Sequence, residues 1–216
     1  EINNPLGVIL CHTDLIRENN SENPELIDDI NIIERHTENC RRIVADLLDF
    51  SRTRGTAMEL RSQSVNAIMD NVLSMTQRQF TAQRIQLEKI FSAADPCCQI
   101  DGSRMRQVFL NLIMNSVQAV GKDGKIRVTT ATKEGQVVIK IEDNGPGIDK
   151  SIIDKIFDPF FSTKEPGQGT GLGLSISYGI IHEHNGEITV DSKPGELTRF
   201  TIMLPQVQPT GMQEEK

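Results

Sequence analysis

Several things are scarce in this 216-residue chain, and each scarcity removes a class of function. No apolar run approaches the roughly 18 residues needed to cross a bilayer, and the opening stretch does not read as a secretory signal. Basic residues are outnumbered: 23 Lys and Arg stand against 30 Asp and Glu, a net charge of −7. A general nucleic-acid binder would need a basic face instead. The four cysteines, Cys11, Cys40, Cys97 and Cys98, lack paired zinc spacing and read as reduced thiols of a cytosolic chain. Aromatics are few, eight Phe and one Tyr, yet Phe157, Phe160 and Phe161 fall within five residues. With 37% hydrophobic and 25% charged residues, the composition is that of a folded chain. At roughly 100–200 residues per domain, it allows one domain or two modest ones. The sequence opens on Glu1-Ile2-Asn3-Asn4-Pro5, not on Met, and is expected to come from something longer.

Charge and period divide the chain. Residues 1–54 hold 6 Arg and 11 acidic residues, whereas 55–205 hold 16 basic and 17 acidic ones. In the first part, Leu26, Ile30, Ile33, Thr37, Cys40, Val44, Leu47 and Ser51 follow the alternating spacing of a helical seam. Ile2, Leu6, Ile9, Thr13 and Ile16 form a shorter stripe before it. The polar run from Asn19 to Pro24 separates the two, with Pro24 suited to the first turn of the second helix. A two-helix hairpin cannot bury its seam alone, so a dimeric four-helix bundle is expected.

Beyond residue 55 the periods alternate. Strands are predicted near 58–62, 85–91, 97–100, 125–132, 136–142, 187–192 and 198–204. Helices are predicted over 65–82, 103–120, 150–155 and 173–184. Lys133-Glu134-Gly135 reads as a hairpin turn. This mixture predicts an α+β two-layer sandwich with helices on one face of a mixed sheet. Residues 206–216 read as a polar tail.

Six of the 16 glycines lie between 145 and 173. Asp143-Asn144-Gly145-Pro146-Gly147 follows a predicted strand. Gly169-Thr170-Gly171-Leu172-Gly173 runs into a helix start, where free N–H groups favour phosphate oxygens. Asn111 and Asn115 stand at i and i+4, on one helix face. An amide oxygen is a neutral, hard ligand suited to Mg²⁺. His182 and His184, two residues apart, do not face one metal on a helix, and a zinc site is rejected there.

In this order, Asn111-x-x-x-Asn115, Asp143-x-Gly-x-Gly147, Phe157-Asp158-Pro159-Phe160-Phe161 and Gly169-x-Gly-x-Gly173 resemble the N, G1, F and G2 boxes of sensor histidine kinases. Glu1-Ile2-Asn3-Asn4-Pro5-Leu6 resembles their H box with the histidine removed. The resemblance covers roughly residues 1–204. It implies a dimerisation and phosphotransfer hairpin (1–54) followed by a Bergerat-type ATP-binding domain of the GHKL superfamily (55–205). It implies ATP and Mg²⁺ as cofactors, a homodimer formed through the hairpin, and a response-regulator receiver domain as partner. The kinase core would be cytoplasmic, with any membrane contact made through upstream regions.

The resemblance also implies roles. Asp143 would accept a hydrogen bond from the adenine amino group, with Thr201 supporting it and Gly145 and Gly147 shaping the pocket. Asn115 would bind Mg²⁺, with Asn111 near the phosphates. Gly169, Thr170, Gly171, Leu172 and Gly173 would present backbone N–H groups to the phosphates, and Lys164 would add charge in a lid over about 158–170. Glu1 would orient the phosphoacceptor imidazole expected just before it, and Asn4 the water used in dephosphorylation. Pro5 would leave the Glu1 carbonyl unpaired and kink the helix. Ser116 stands where Ala is more usual, a small-for-small change. The superfamily's water-splitting ATPases and several of its other kinases usually carry Glu, a general base near the γ-phosphate, at the position of Asn111. An amide cannot take a proton, so the expectation is a kinase. The alternative is an ATP-binding scaffold or phosphatase-biased module.

Overall fold

The computed structural model describes residues 2–20, 22–53, 58–164 and 169–207. The chain forms two compact units, Glu1–Thr56 with Asp158–Leu172, and Ala57–Phe157 with Gly173–Lys216.

In the first unit, α1 (Asn3–Asn19) and α2 (Pro24–Thr53) make the hairpin. Asn23 caps α2, its Oδ1 accepting from the Leu26 N–H at 3.3 Å, and Pro24 occupies the first helical position, where its missing N–H costs nothing. Pro5 falls in the first turn of α1, so the break expected at Pro5 coincides with the helix start; Glu1 lies outside the described residues. The predicted single seam splits in two. Ile30 and Thr37 are buried, together with Thr13 of α1, while Ile9, Ile16, Ile33 and Leu47 stay 41–48% exposed. The reason is geometric: alternate seam positions lie on neighbouring strips, and one antiparallel helix covers one strip. Thr13 and Thr37 tolerate burial because their hydroxyls donate to the Leu10 and Ile33 carbonyls, each at 2.8 Å. An Arg17–Glu34 ion pair ties the helices further along.

In the second unit, β2 (Gln86–Ile90), β4 (Lys125–Lys133), β5 (Gln136–Asp143), β7 (Leu197–Pro205) and β6 (Glu187–Lys193) form one sheet in that spatial order. Only β2 and β4 run parallel. The β4–β5 turn, Glu134-Gly135, has positive φ at both residues, the backbone a two-residue hairpin requires. A two-stranded ribbon, β1 (Arg61–Ser64) with β3 (Cys97–Ile100), is a separate antiparallel sheet.

One sheet face carries Ile126, Val128, Val137, Ile139, Phe200 and Ile202, all buried. Against it lie α3 (Val65–Met75), α5 (Gly102–Val120) and α6 (Gly173–Glu183). Their buried residues include Met69, Phe109, Leu112, Ile113 and Ile180. Each such side chain contributes roughly 1.5–3 kcal/mol on leaving water. The predicted helix over 65–82 is interrupted at Thr76, where α3 gives way to α4 (Gln77–Gln83). The buried Thr76 hydroxyl donates to the Val72 and Leu73 carbonyls and closes α3. The first predicted strand sits later, at β1.

The opposite face is polar. Glu88, Arg127, Glu142, Arg199 and Asp191 are register partners in one row across all five strands. Their charges alternate, with Arg127 3.0 Å from Glu88 and Arg199 bonded to Glu142. Hydrogen bonds from Lys125 and then Arg127 hold the Glu88 carboxyl below its ordinary value.

Candidate functional site

Helix α5 is fixed at its start by Asp101, whose Oδ1 accepts from the N–H groups of Ser103 (3.0 Å) and Arg104 (3.2 Å). Burial alone would raise the Asp101 carboxyl, but the Ser103 hydroxyl and three backbone donors bring it below the ordinary value. The Asp101 N–H donates in turn to His184 Nε2 at 2.9 Å, while His184 Nδ1 bonds the Ile180 carbonyl. Arg104 pairs with Glu183. The two helices are thereby joined at this end, and the buried His184 belongs to that joint.

Two turns along α5, Asn111 and Asn115 are half-buried beside the core row Val108, Leu112 and Ser116. The Asn111 side-chain amide donates to the Gly173 carbonyl at 3.2 Å, at the first residue of α6. The Ser177 hydroxyl reaches the same carbonyl at 2.9 Å.

Strand β5 alternates inward Val137, Ile139 and Ile141, and the next inward residue is Asp143, a carboxylate at a core position, 4% exposed. Burial pushes its pKa above the ordinary carboxylate value, opposed by the Gly145 N–H and the Ser116 hydroxyl. Gly145 N donates to Oδ1 at 3.0 Å and Ser116 Oγ to Oδ2 at 2.9 Å. Each carboxylate oxygen keeps capacity for one more donor. The loop after β5 is pinned: Ile148 N donates to Ser192 Oγ at 2.8 Å, and Gly195 N to the Pro146 carbonyl at 2.7 Å. Gly147 has φ +72°, and a Cβ there would stand 2.4 Å from the Lys193 carbonyl oxygen, so only glycine fits.

Asn111, Asp143, Gly145, Gly147 and Gly173 are thus built into the second unit by neighbouring elements. Thr201 does not join them and is a correction. Its register partners are Lys140 and Thr189, and it shares the outer face of β7 with Arg199. The threonine paired with Asp143 is Thr198, 5% exposed, its hydroxyl 3.0 Å from Ser192 Oγ. Strand parity carries this signal: Thr198 is in phase with the inward Phe200 and Ile202, and Thr201 is out of phase. Ser116 was likewise hidden, because a small buried side chain reads as filler.

The remaining expected residues lie in the first unit. Lys164 is exposed, its N–H 3.2 Å from Ser162 Oγ. A Cβ on Gly169 would press on Lys164 and Ser162. Gly171 has φ +69°, with the Phe160 backbone where a Cβ would go. The Leu172 N–H donates to Thr170 Oγ1 at 3.4 Å, and the Leu172 side chain is fully buried. Residues 165–168 of the expected lid lie outside the described residues. Asn4 is exposed in the first turn of α1. No described helix is long and apolar enough to cross a membrane.

A helical hairpin and a two-layer sandwich with inward carboxylate, paired amides and glycine-built loops define the GHKL class of kinase core. The family described as "Histidine kinase-, DNA gyrase B-, and HSP90-like ATPase" matches residues 100–208, and "His Kinase A (phospho-acceptor) domain" matches residues 1–56. The chain belongs to the sensor histidine kinases of two-component systems. It is similar to the signal transduction histidine-protein kinase AtoS of Escherichia coli (strain K12), with 36% identity over 215 residues, covering 99% of this chain and 34% of AtoS. It is similar also to the sensor histidine kinase ZraS of the same organism, with 33% identity over 207 residues, covering 95% of this chain and 43% of ZraS. The chain therefore spans less than half the length of these curated relatives. Among solved structures it is similar to histidine kinase ThkA in complex with the response regulator protein TrrA, at 28% identity and a TM-score of 0.73, covering 96% of this chain and 59% of ThkA.

Proposed function

We propose that this chain is an ATP-dependent protein-histidine kinase core that passes the γ-phosphoryl group of ATP to a hairpin imidazole and then to an aspartate of a response-regulator receiver domain. The observation that carries this reading is the buried Asp143 carboxylate, oriented by Ser116 and Gly145, in a chain that matches both halves of a histidine kinase. Adenine offers an amino donor where guanine offers a carbonyl, so an acceptor-only carboxylate selects ATP. Thr198, the register partner of Asp143, supports that contact instead of Thr201. Gly145 and Gly147 shape the base pocket, and the N–H groups of Gly169, Thr170, Gly171, Leu172 and Gly173, with Lys164, bind the phosphates.

Asn115 is assigned to Mg²⁺, which a half-buried amide oxygen fits as a hard, neutral ligand. When bound, the ion neutralises phosphate charge and orients the terminal phosphoryl group. Asn111 holds the start of α6 and offers no base, which favours a protein nucleophile over water. The imidazole that the H-box pattern places before Glu1 attacks the γ-phosphorus as the bond to the bridging oxygen breaks and ADP leaves. Glu1 holds the second ring N–H, and Asn4 orients water for the reverse, dephosphorylating role. The exposed strip of Ile9, Ile16, Ile33 and Leu47 supports a homodimer through the hairpin. The division into hairpin 1–54, catalytic domain 55–205 and tail 206–216 is part of the same proposal. Supplying the chain with a preceding His and incubating it with Mg²⁺ and γ-labelled ATP is expected to give an acid-labile label on that residue. ATP binding without any such label would contradict the reading.

A further inference from the structure

Ser116 is not among the residues given a contact with nucleotide or metal above, yet its placement is specific. It is 1% exposed, in α5, next to Asn115. A serine inside a helix ordinarily turns its hydroxyl back to the carbonyl one turn earlier. This one donates instead to Asp143 Oδ2 at 2.9 Å, a partner 27 residues away on β5. Gly145 N–H fills one position on Oδ1 at 3.0 Å. Two donors on two different oxygens, one from a helix and one from the loop after the strand, fix the carboxylate in its own plane. The open lone pairs then point in set directions. Because both neighbours donate, the geometry suits the carboxylate as an acceptor only.

We propose that Ser116 is a specificity-determining positioning residue: its hydroxyl orients Asp143 so that the site takes a 6-aminopurine nucleotide and rejects a 6-oxopurine. The proposal rests on the reading of this site as the ATP site. Ser116 does not touch the base; its effect passes through the Asp143 oxygen that meets the exocyclic amino group. A base without that amino group is therefore indifferent to the serine, whereas a merely structural serine would affect every nucleotide alike. A 6-oxo base sets its carbonyl oxygen against the carboxylate, and that repulsion weakens once Asp143 is free to rotate.

The test is a chemical double-mutant cycle on the full chain, with Mg²⁺ present throughout. Affinities of ATP, purine riboside triphosphate (which lacks the 6-amino group) and ITP (which carries a 6-oxo group) are measured for the unchanged chain, Ser116→Ala and Ser116→Cys. Thermal melting shows which variants fold; cysteine keeps the volume with a weak donor, so one folded variant suffices. The expected result is an ATP affinity lowered about 5-fold in the variant, the scale of one net hydrogen bond. Purine riboside triphosphate is expected to change less than about 2-fold, and the ATP-to-ITP ratio to fall. Equal losses for ATP and purine riboside triphosphate, or an ATP affinity unchanged by either variant, would overturn the Ser116 proposal while leaving the ATP site standing. An unchanged chain that does not distinguish ATP from purine riboside triphosphate would overturn the Asp143 reading itself, and the Ser116 proposal with it.

Discussion

Asn111 on α5 donates its side-chain amide to the carbonyl of Gly173, 3.2 Å away, at the residue where α6 begins. One contact thus ties the helix bearing the asparagine pair to the helix that ends the second glycine box. Asn111→Asp removes the donor and sets an anion against a carbonyl oxygen. A drop of about 10-fold or more in ATP affinity is expected, with a loss of roughly 1–3 kcal/mol in stability. Titration calorimetry and denaturant unfolding measure the two effects. An aspartate variant that binds and unfolds like the parent would remove Asn111 from this role.

Asp143 is a carboxylate at a core position, and burial raises its pKa. Between the ordinary carboxylate value and this raised one, the folded chain binds more protons than the unfolded chain. Its contribution therefore lowers stability as pH rises through the raised value. Asp143→Asn is expected to raise the melting temperature at neutral pH, with a gain that shrinks as pH falls toward the ordinary carboxylate range. ATP binding follows the opposite course: affinity is expected to fall as Asp143 takes up its proton. Melting and binding series across that window check both signs.

The two threonines of β7 separate cleanly. Thr198 is buried beside Asp143 with its hydroxyl 3.0 Å from Ser192, while Thr201 lies on the outer face. Thr198→Ala is expected to cost about 1 kcal/mol in stability and several-fold in ATP affinity. Thr201→Ala is expected to stay within about 0.5 kcal/mol and to leave ATP affinity unchanged. Equal effects from the two would contradict the parity argument.

How far the sequence could be read follows from which rules are local. The hairpin, the sheet strands and the Asn111–Asn115 pair rest on periods of 3.6 and 2 and on turn residues, all written in contiguous sequence. The Thr76 break, by contrast, depends on a buried hydroxyl bonding its own helix, which helical periodicity does not encode. The hairpin seam reads as single because period alone does not say how many neighbours cover it. Thr198 and Thr201, three residues apart, look equivalent in sequence until strand parity is counted from Phe200 and Ile202. Ser116 and His184 acquire meaning only through partners 27 and 83 residues away, Asp143 and Asp101.

The exposed strip of the hairpin yields its own expectation. Ile33 is 46% and Leu47 48% exposed, on a helix whose other strip is already covered. If a second copy buries this strip, Ile33→Lys with Leu47→Lys would convert a dimer to a monomer in light scattering after size-exclusion chromatography. Helical content of the catalytic unit would be unchanged. A parent chain that is monomeric at all accessible concentrations would contradict the dimer.

The phosphotransfer reading is tested most directly by following labelled phosphate in the chain supplied with a preceding His, beside the same chain carrying Asp143→Asn, at ATP well below saturation. An acid-labile label is expected on the imidazole in the first, and labelling at least about 10-fold slower in the second, the scale of losing a hydrogen bond to a charged acceptor. An equal rate in both, or ATP bound by the first with no label transferred, would contradict it.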